Sequence, residues 1–174
     1  MRTFEREVNA KVPSFSPDGL KKYWEDRNEQ NARDAKTLLE SMLIKLKAYY
    51  KEKLDIFYDI DDEYEKWFSE KVFKALGNKV SEENYGKSKA QQIDHWDLVG
   101  FDELKDIVTN KNHWTEVFNK SLGYSEDNKG DKIVRTKWLQ DLSEIKRKLN
   151  ASNVISVDDF EYIQELSQWL QTLL

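Results

Sequence analysis

The chain has no cysteine, which excludes disulfides, thiolate nucleophiles and cysteine-type zinc sites together. That absence fits a reducing cytoplasm, the expected location. Only two prolines and six glycines occur in 174 residues, too few for a turn-rich β-sandwich and consistent with long helices. No apolar run approaches the ~20 residues that span a bilayer, and residues 1–12 (MRTFEREVNAKV) mix charges without the apolar stretch of a signal peptide. A soluble chain with no membrane contact is therefore expected. Positive charge is also short. The net charge of −5 works against generic binding to a phosphate backbone, so any nucleic-acid contact must be a local patch.

What is present is aromatic and charged. Six Trp, eight Tyr and eight Phe can bury a large area and argue against disorder, although 35% of residues are charged. The length suits one domain with a real core. Residues 1–15 read as a tail and 16–174 as a single all-α domain. Ser16 and Pro17 suit a helix start, as cap and first helical residue. Leu20, Tyr23 and Trp24 give a short apolar face, whereas Glu25 to Asp34 (EDRNEQNARD) offers only Ala32 and reads as a solvated helix or a hinge. Periodicity then resumes at Leu38, Leu39, Met42, Leu43, Leu46, Tyr49, Tyr50, Leu54 and Phe57, the three-and-four spacing of an amphipathic helix.

A second helix is predicted from Asp61 or Asp62 through Tyr64, Trp67, Phe68, Val72, Phe73 and Leu76, stopped by Gly77. Residues 78–99 are less regular, with a short helix after Ser81. Helices follow at about 101–110 and 113–122, the latter ended by Gly123, and residues 125–131 (SEDNKGD) form a surface loop. The last two helices are the best defined. Val134, Trp138, Leu142, Ile145 and Leu149 make one stripe, and Phe160, Ile163, Leu166, Leu170 and Leu173 make the next, entered by a capping box of Ser156 with Asp159. Joined by a short loop, they should pack antiparallel in a helical bundle.

The order of DHWDLVGFDELKDIV, NHWTEVF, RTKWLQDLSEIKRKLNA and SVDDFEYIQELSQWL over 94–174 resembles the HEPN domain superfamily. The likeness is to the C-terminal HEPN type of prokaryotic defence and conflict proteins and of some RNA-processing proteins. The string Thr136, Trp138, Leu139, Leu142, Glu144, Ile145 carries it most specifically. By analogy, residues 16–93 supply the remaining helices of the bundle and an N-terminal helical extension. The resemblance implies a homodimer and, in the enzymes of that family, metal-independent RNA cleavage by an arginine, an adjacent polar residue and a histidine that follows. Such chemistry needs a base for the 2′-hydroxyl proton, an acid for the leaving oxygen and a cation for the developing phosphorane-like charge.

Laid onto this chain, with Glu144-Ile145 on the family's E-I, the arginine position is Lys146, the polar position Arg147 and the histidine position Ala151. Alanine cannot transfer a proton. Taking Arg147 as the arginine puts Ser152 at the histidine position, and serine has no suitable pKa. The motif is degenerate, and no catalytic residue is assigned. Arg135, Lys137, Lys146, Arg147 and Lys148 nevertheless outnumber Asp141 and Glu144 on this helix. Arg135 and Lys146, eleven residues apart, return to nearly the same helical angle. Arg135, Lys146, Arg147 and Lys148 are thus the candidate binding residues for RNA or a nucleotide, against the plain reading of a solvated face with cations near a helix C-terminus.

Other candidates carry less. Asp59, Asp61, Asp62 and Glu63 suggest a metal loop, but Tyr64 stands where such a loop needs glycine, and an acidic helix start explains them better. His95 and His113 each precede a Trp and lack the acidic spacing of a metal pair, so neither metal nor cofactor is expected. Asn119-Lys120-Ser121 and Asn150-Ala151-Ser152 fit the glycosylation pattern by chance, given no secretion signal. The leading expectation is a non-catalytic HEPN-like binding or dimerisation module in an RNA-related or phage-defence setting. The alternatives are a ribonuclease with a relocated site, drawing on His113, and a protein-binding helical scaffold that uses residues 25–34 or the tail.

Overall fold

A computed structural model describes residues 19–59, 64–124 and 131–173. All regular structure among them is helical: α1 Leu20–Tyr58, α2 Tyr64–Trp67, α3 Glu70–Asn84, α4 Phe101–Thr109, α5 Lys111–His113, α6 Lys132–Arg135, α7 Lys137–Ser152 and α8 Val157–Leu173. A 3₁₀ turn at Lys89–Gln91 and a π turn at Trp114–Phe118 complete the set. The bundle core is built by α1 against α8 and α7, and by α4 against α7. Among the described residues no helix is long and apolar enough to cross a membrane.

The 39-residue α1 runs without interruption through the polar stretch at 25–34, which is the solvated helix of the two readings and not the hinge. No Gly or Pro lies within it, and its polar side chains pair along the helix: Arg27 with Tyr23 at 2.9 Å, Gln30 with Asp34 at 2.8 Å and Arg33 with Glu29 at 3.3 Å. Such pairs each add only a few tenths of a kcal/mol, about 0.2–0.5, but propagation from the buried part does the rest. Burial starts at Ala32 and continues through Ala35, Leu39, Met42, Leu46, Tyr50 and Leu54. The segment before Ala32 therefore extends past the core by about 18 Å. Asp59 in the left-handed region (φ 53°) ends the helix.

The second predicted helix is two pieces, α2 and α3. Between them, Asp106 of α4 accepts hydrogen bonds from the backbone N–H of Ser69 (2.9 Å) and its hydroxyl (3.0 Å), so α3 starts on a cap supplied from another helix. Gly77 does not stop α3, which continues to Asn84. It sits in the helix beside the His95 ring, which stacks on Phe73, and a Cβ there would reach ordinary contact with that ring at 3.4 Å. The left-handed residue after this helix is Gly86 (φ 74°).

The antiparallel pair α7–α8 matches its reading except at the outer ends of the stripes, where Val134 and Leu173 are exposed. Trp138, Leu139, Leu142, Ile145 and Leu149 are buried on α7, and Ile163, Leu166 and Leu170 on α8. Val134 is excluded from that stripe: it is 55% exposed, on the separate helix α6. The chain breaks at Thr136 (φ −110°, ψ 7°), whose hydroxyl donates to Lys132 O at 2.6 Å. Ser156 does cap α8, its oxygen accepting the Asp159 N–H at 3.0 Å. Residues 1–18, including the Ser16-Pro17 start, and loop residues 125–130 lie outside the described residues.

Candidate binding surface on helix α7

The sequence of α7 sorts its residues into two environments. The apolar positions that carry the resemblance face inward, where the Trp138 ring meets Trp169 edge-on at 5.4 Å and its N–H donates to Leu122 O at 3.2 Å. The motif positions face outward or lie at the rim: Arg147 and Ala151 are exposed, as is neighbouring Lys148, and Lys146 is half-buried. Asn153 in the left-handed conformation (φ 53°) closes the helix, and Lys36 of α1 donates to its side chain at 2.7 Å.

Lys146 lays its ammonium 5.8 Å from the Phe101 ring centroid. Across the α1–α7 seam stands Lys47, which the sequence reading missed because nothing in α1 marks it out from other lysines. Its ammonium lies 5.9 Å from the Trp96 centroid and donates to Asp97 O at 3.2 Å. Burial holds the Lys47 pKa below the ordinary lysine value, with Lys146 adding repulsion and Asp97 and Asp94 opposing the shift. Those two aspartates also brace their own turn, each carboxylate accepting the other's backbone N–H, at 2.9 and 3.1 Å.

Arg135 separates from this group. The helix break at Thr136 removes the eleven-residue register, and the guanidinium is committed elsewhere. It donates to the Asn119 side chain (2.8 Å) and carbonyl (2.9 Å) and lies 5.1 Å from the Trp114 centroid. Gly123 leaves it room: a Cβ there would collide with the guanidinium. Arg135 thus locks the turn after the π segment. Lys137 is drawn to Asp141 at 3.7 Å, and Glu144 accepts from Gln140 at 3.1 Å. That leaves Lys146, Arg147 and Lys148 as a cationic run with no carboxylate partner among the described residues.

Neither histidine serves this surface. His113 is fully buried, with Nδ1 2.8 Å from Ile107 O and Nε2 2.7 Å from the Tyr58 hydroxyl. Its burial depresses the imidazole pKa. His95 stacks on Phe73 at 4.7 Å. Among the described residues no cluster of three His, Asp or Glu could hold a metal ion; Asp59 is described and exposed, whereas Asp61, Asp62 and Glu63 fall outside the described residues. No family model matches the chain, and neither a curated protein nor a solved structure matches it.

Proposed function

We propose that the chain is a non-catalytic binding and dimerisation module on a HEPN-like helical framework, taking RNA or a nucleotide through its phosphates in an RNA-related or phage-defence system. One observation carries the reading. The apolar side chains behind the resemblance are core, while the motif positions Lys146 and Arg147, with adjacent Lys148, offer three cations without a carboxylate partner among the described residues. Ala151 is exposed, and both imidazoles are engaged elsewhere. Such a surface can attract phosphate but holds no base and acid for 2′-hydroxyl chemistry. Relocation of a ribonuclease centre to His113 is disfavoured, since both ring nitrogens bond inside the protein. The protein-scaffold alternative draws support from the α1 segment before Ala32, which extends past the core.

Binding of labelled single-stranded RNA, measured by anisotropy over a salt series, tests the ligand. The triple variant Lys146→Ala, Arg147→Ala, Lys148→Ala should flatten the slope of log affinity against log salt by about 2, at roughly 0.7 per phosphate contact. An unchanged slope ends the phosphate reading. Light scattering across micromolar concentrations should report a dimer, and a strict monomer removes that part. Cleavage of structured RNA by the wild-type protein, lost in His113→Ala, would reinstate the enzyme.

A further inference from the structure

Three contacts converge on Tyr58 and His113, and they need more protons than the neutral groups possess. His113 Nδ1 lies 2.8 Å from Ile107 O, His113 Nε2 2.7 Å from the Tyr58 hydroxyl, and that hydroxyl 3.0 Å from Lys66 O. A carbonyl oxygen only accepts, so Nδ1 carries a proton. In the neutral imidazole Nε2 is then a bare lone pair, and the single Tyr58 proton must turn toward it. Lys66 O receives nothing from Tyr58 in that state. When the imidazole is charged, Nε2–H donates to the tyrosine oxygen and the hydroxyl proton is released to Lys66 O. All three bonds then form together.

We infer that Tyr58 and His113 form a proton-operated clasp on α2, fastened to the Lys66 carbonyl only when His113 is charged. The fastened element matters to the bundle. Next to Lys66 stands Trp67, fully buried and 5.3 Å from Trp96, the ring on which Lys47 lies. The π turn that follows His113 is where its helix departs from α geometry, and Asn119 N–H reaches back to Trp114 O at 2.9 Å. Around the pair, Asp106 of α4 favours the imidazolium, and Lys66 of α2 bears on the Tyr58 hydroxyl. The Phe57 ring meets His113 edge-on at 6.2 Å, adding apolar cover and no charge. Burial opposes charging the ring, so fastening belongs to acid conditions, below the usual imidazole range.

Side-chain ¹⁵N NMR of the full chain gives the first readout. His113 should be the Nδ1–H tautomer at pH 7.5 and should gain a proton on Nε2 in acid. Amide exchange of residues 65–69, expressed as protection factors, gives the second. Protection should rise about two- to tenfold on charging, the worth of one neutral hydrogen bond, and Tyr58→Phe should abolish the rise. Three results overturn the clasp: an Nε2–H tautomer at pH 7.5, a His113 that stays neutral down to pH 4, or the same rise in Tyr58→Phe. The NMR arm uses wild-type protein and does not depend on the variant's folding.

Discussion

Helix α7 buries Trp138, Leu139, Leu142, Ser143, Ile145 and Leu149, whereas α3, nearly as long, buries Leu76 alone. The first is held by non-directional apolar burial on neighbours from both sides. The second is held by Leu76, by partly buried Val72 and Phe73, and by polar ties such as Asp106 to Ser69 and Asn84 to Ile93. The same contrast separates two tyrosines of α1. Tyr50 is fully buried and stacks on Phe118 at 4.5 Å, with no partner for its hydroxyl among the described residues; Tyr58 is half-buried, with two partners. The packed middle holds an idle hydroxyl, whereas the thinly buried flank puts the Tyr58 hydroxyl to use.

The comparison can be broken by matched truncations. Leu142→Ala and Leu76→Ala should each lose about 2–5 kcal/mol in urea unfolding, with Leu142→Ala the larger. Its cavity is walled by a helix with five other buried residues, whereas Leu76 is the one buried residue of α3 and its surroundings can close in. Amide exchange separates them further. Leu76→Ala should open residues 70–84 before the rest, and a uniform loss of protection in both variants would erase the distinction.

Acid should act next in size. The folded His113 binds its proton more weakly than the unfolded chain, whose imidazole titrates near pH 6.5. Below that value the unfolded state takes up the proton first, so stability present at neutral pH is lost as pH falls toward the folded pKa. The clasp bond offsets part of this cost without reversing it. A His113→Asn variant should therefore show a flatter urea midpoint between pH 7 and pH 5 than wild type. A steeper one contradicts the burial argument.

The smallest effect sharpens the middle. Tyr50→Phe removes a buried hydroxyl without a partner among the described residues and should leave stability equal or raise it by up to about 1 kcal/mol. A loss beyond that size, measured by the same unfolding, means the hydroxyl is satisfied after all.

How much could be read in advance differed with the kind of interaction. The α7 and α8 stripes were legible because burial on one helix face imposes three-and-four spacing on the residues themselves. Gly77 and Val134 were misread because a glycine inside a helix and an apolar residue in phase look the same whether or not another segment covers them. The polar run at 25–34 stayed open between a solvated helix and a hinge because stripe reading counts apolar residues and ignores pairs such as Arg33–Glu29 along the helix. At the candidate surface, Lys146, Arg147 and Lys148 were visible as a run. Arg135 was grouped with them wrongly, since Asn119, Trp114 and Gly123 claim it from a different stretch of chain.

By itself the sequence determined the all-α class, the two best helices, the absence of thiol chemistry and the lack of a histidine behind Lys146. Those follow from composition, periodicity and identity, which are local properties. Tertiary structure alone decided that Asp106 caps α3, that Lys47 lies over Trp96 and bonds Asp97 O, and that His113 is enclosed between Ile107 and Tyr58. Each of those depends on distant segments arriving at one place, and on the free energy of burying or pairing a polar group there. No spacing rule within a single helix encodes that.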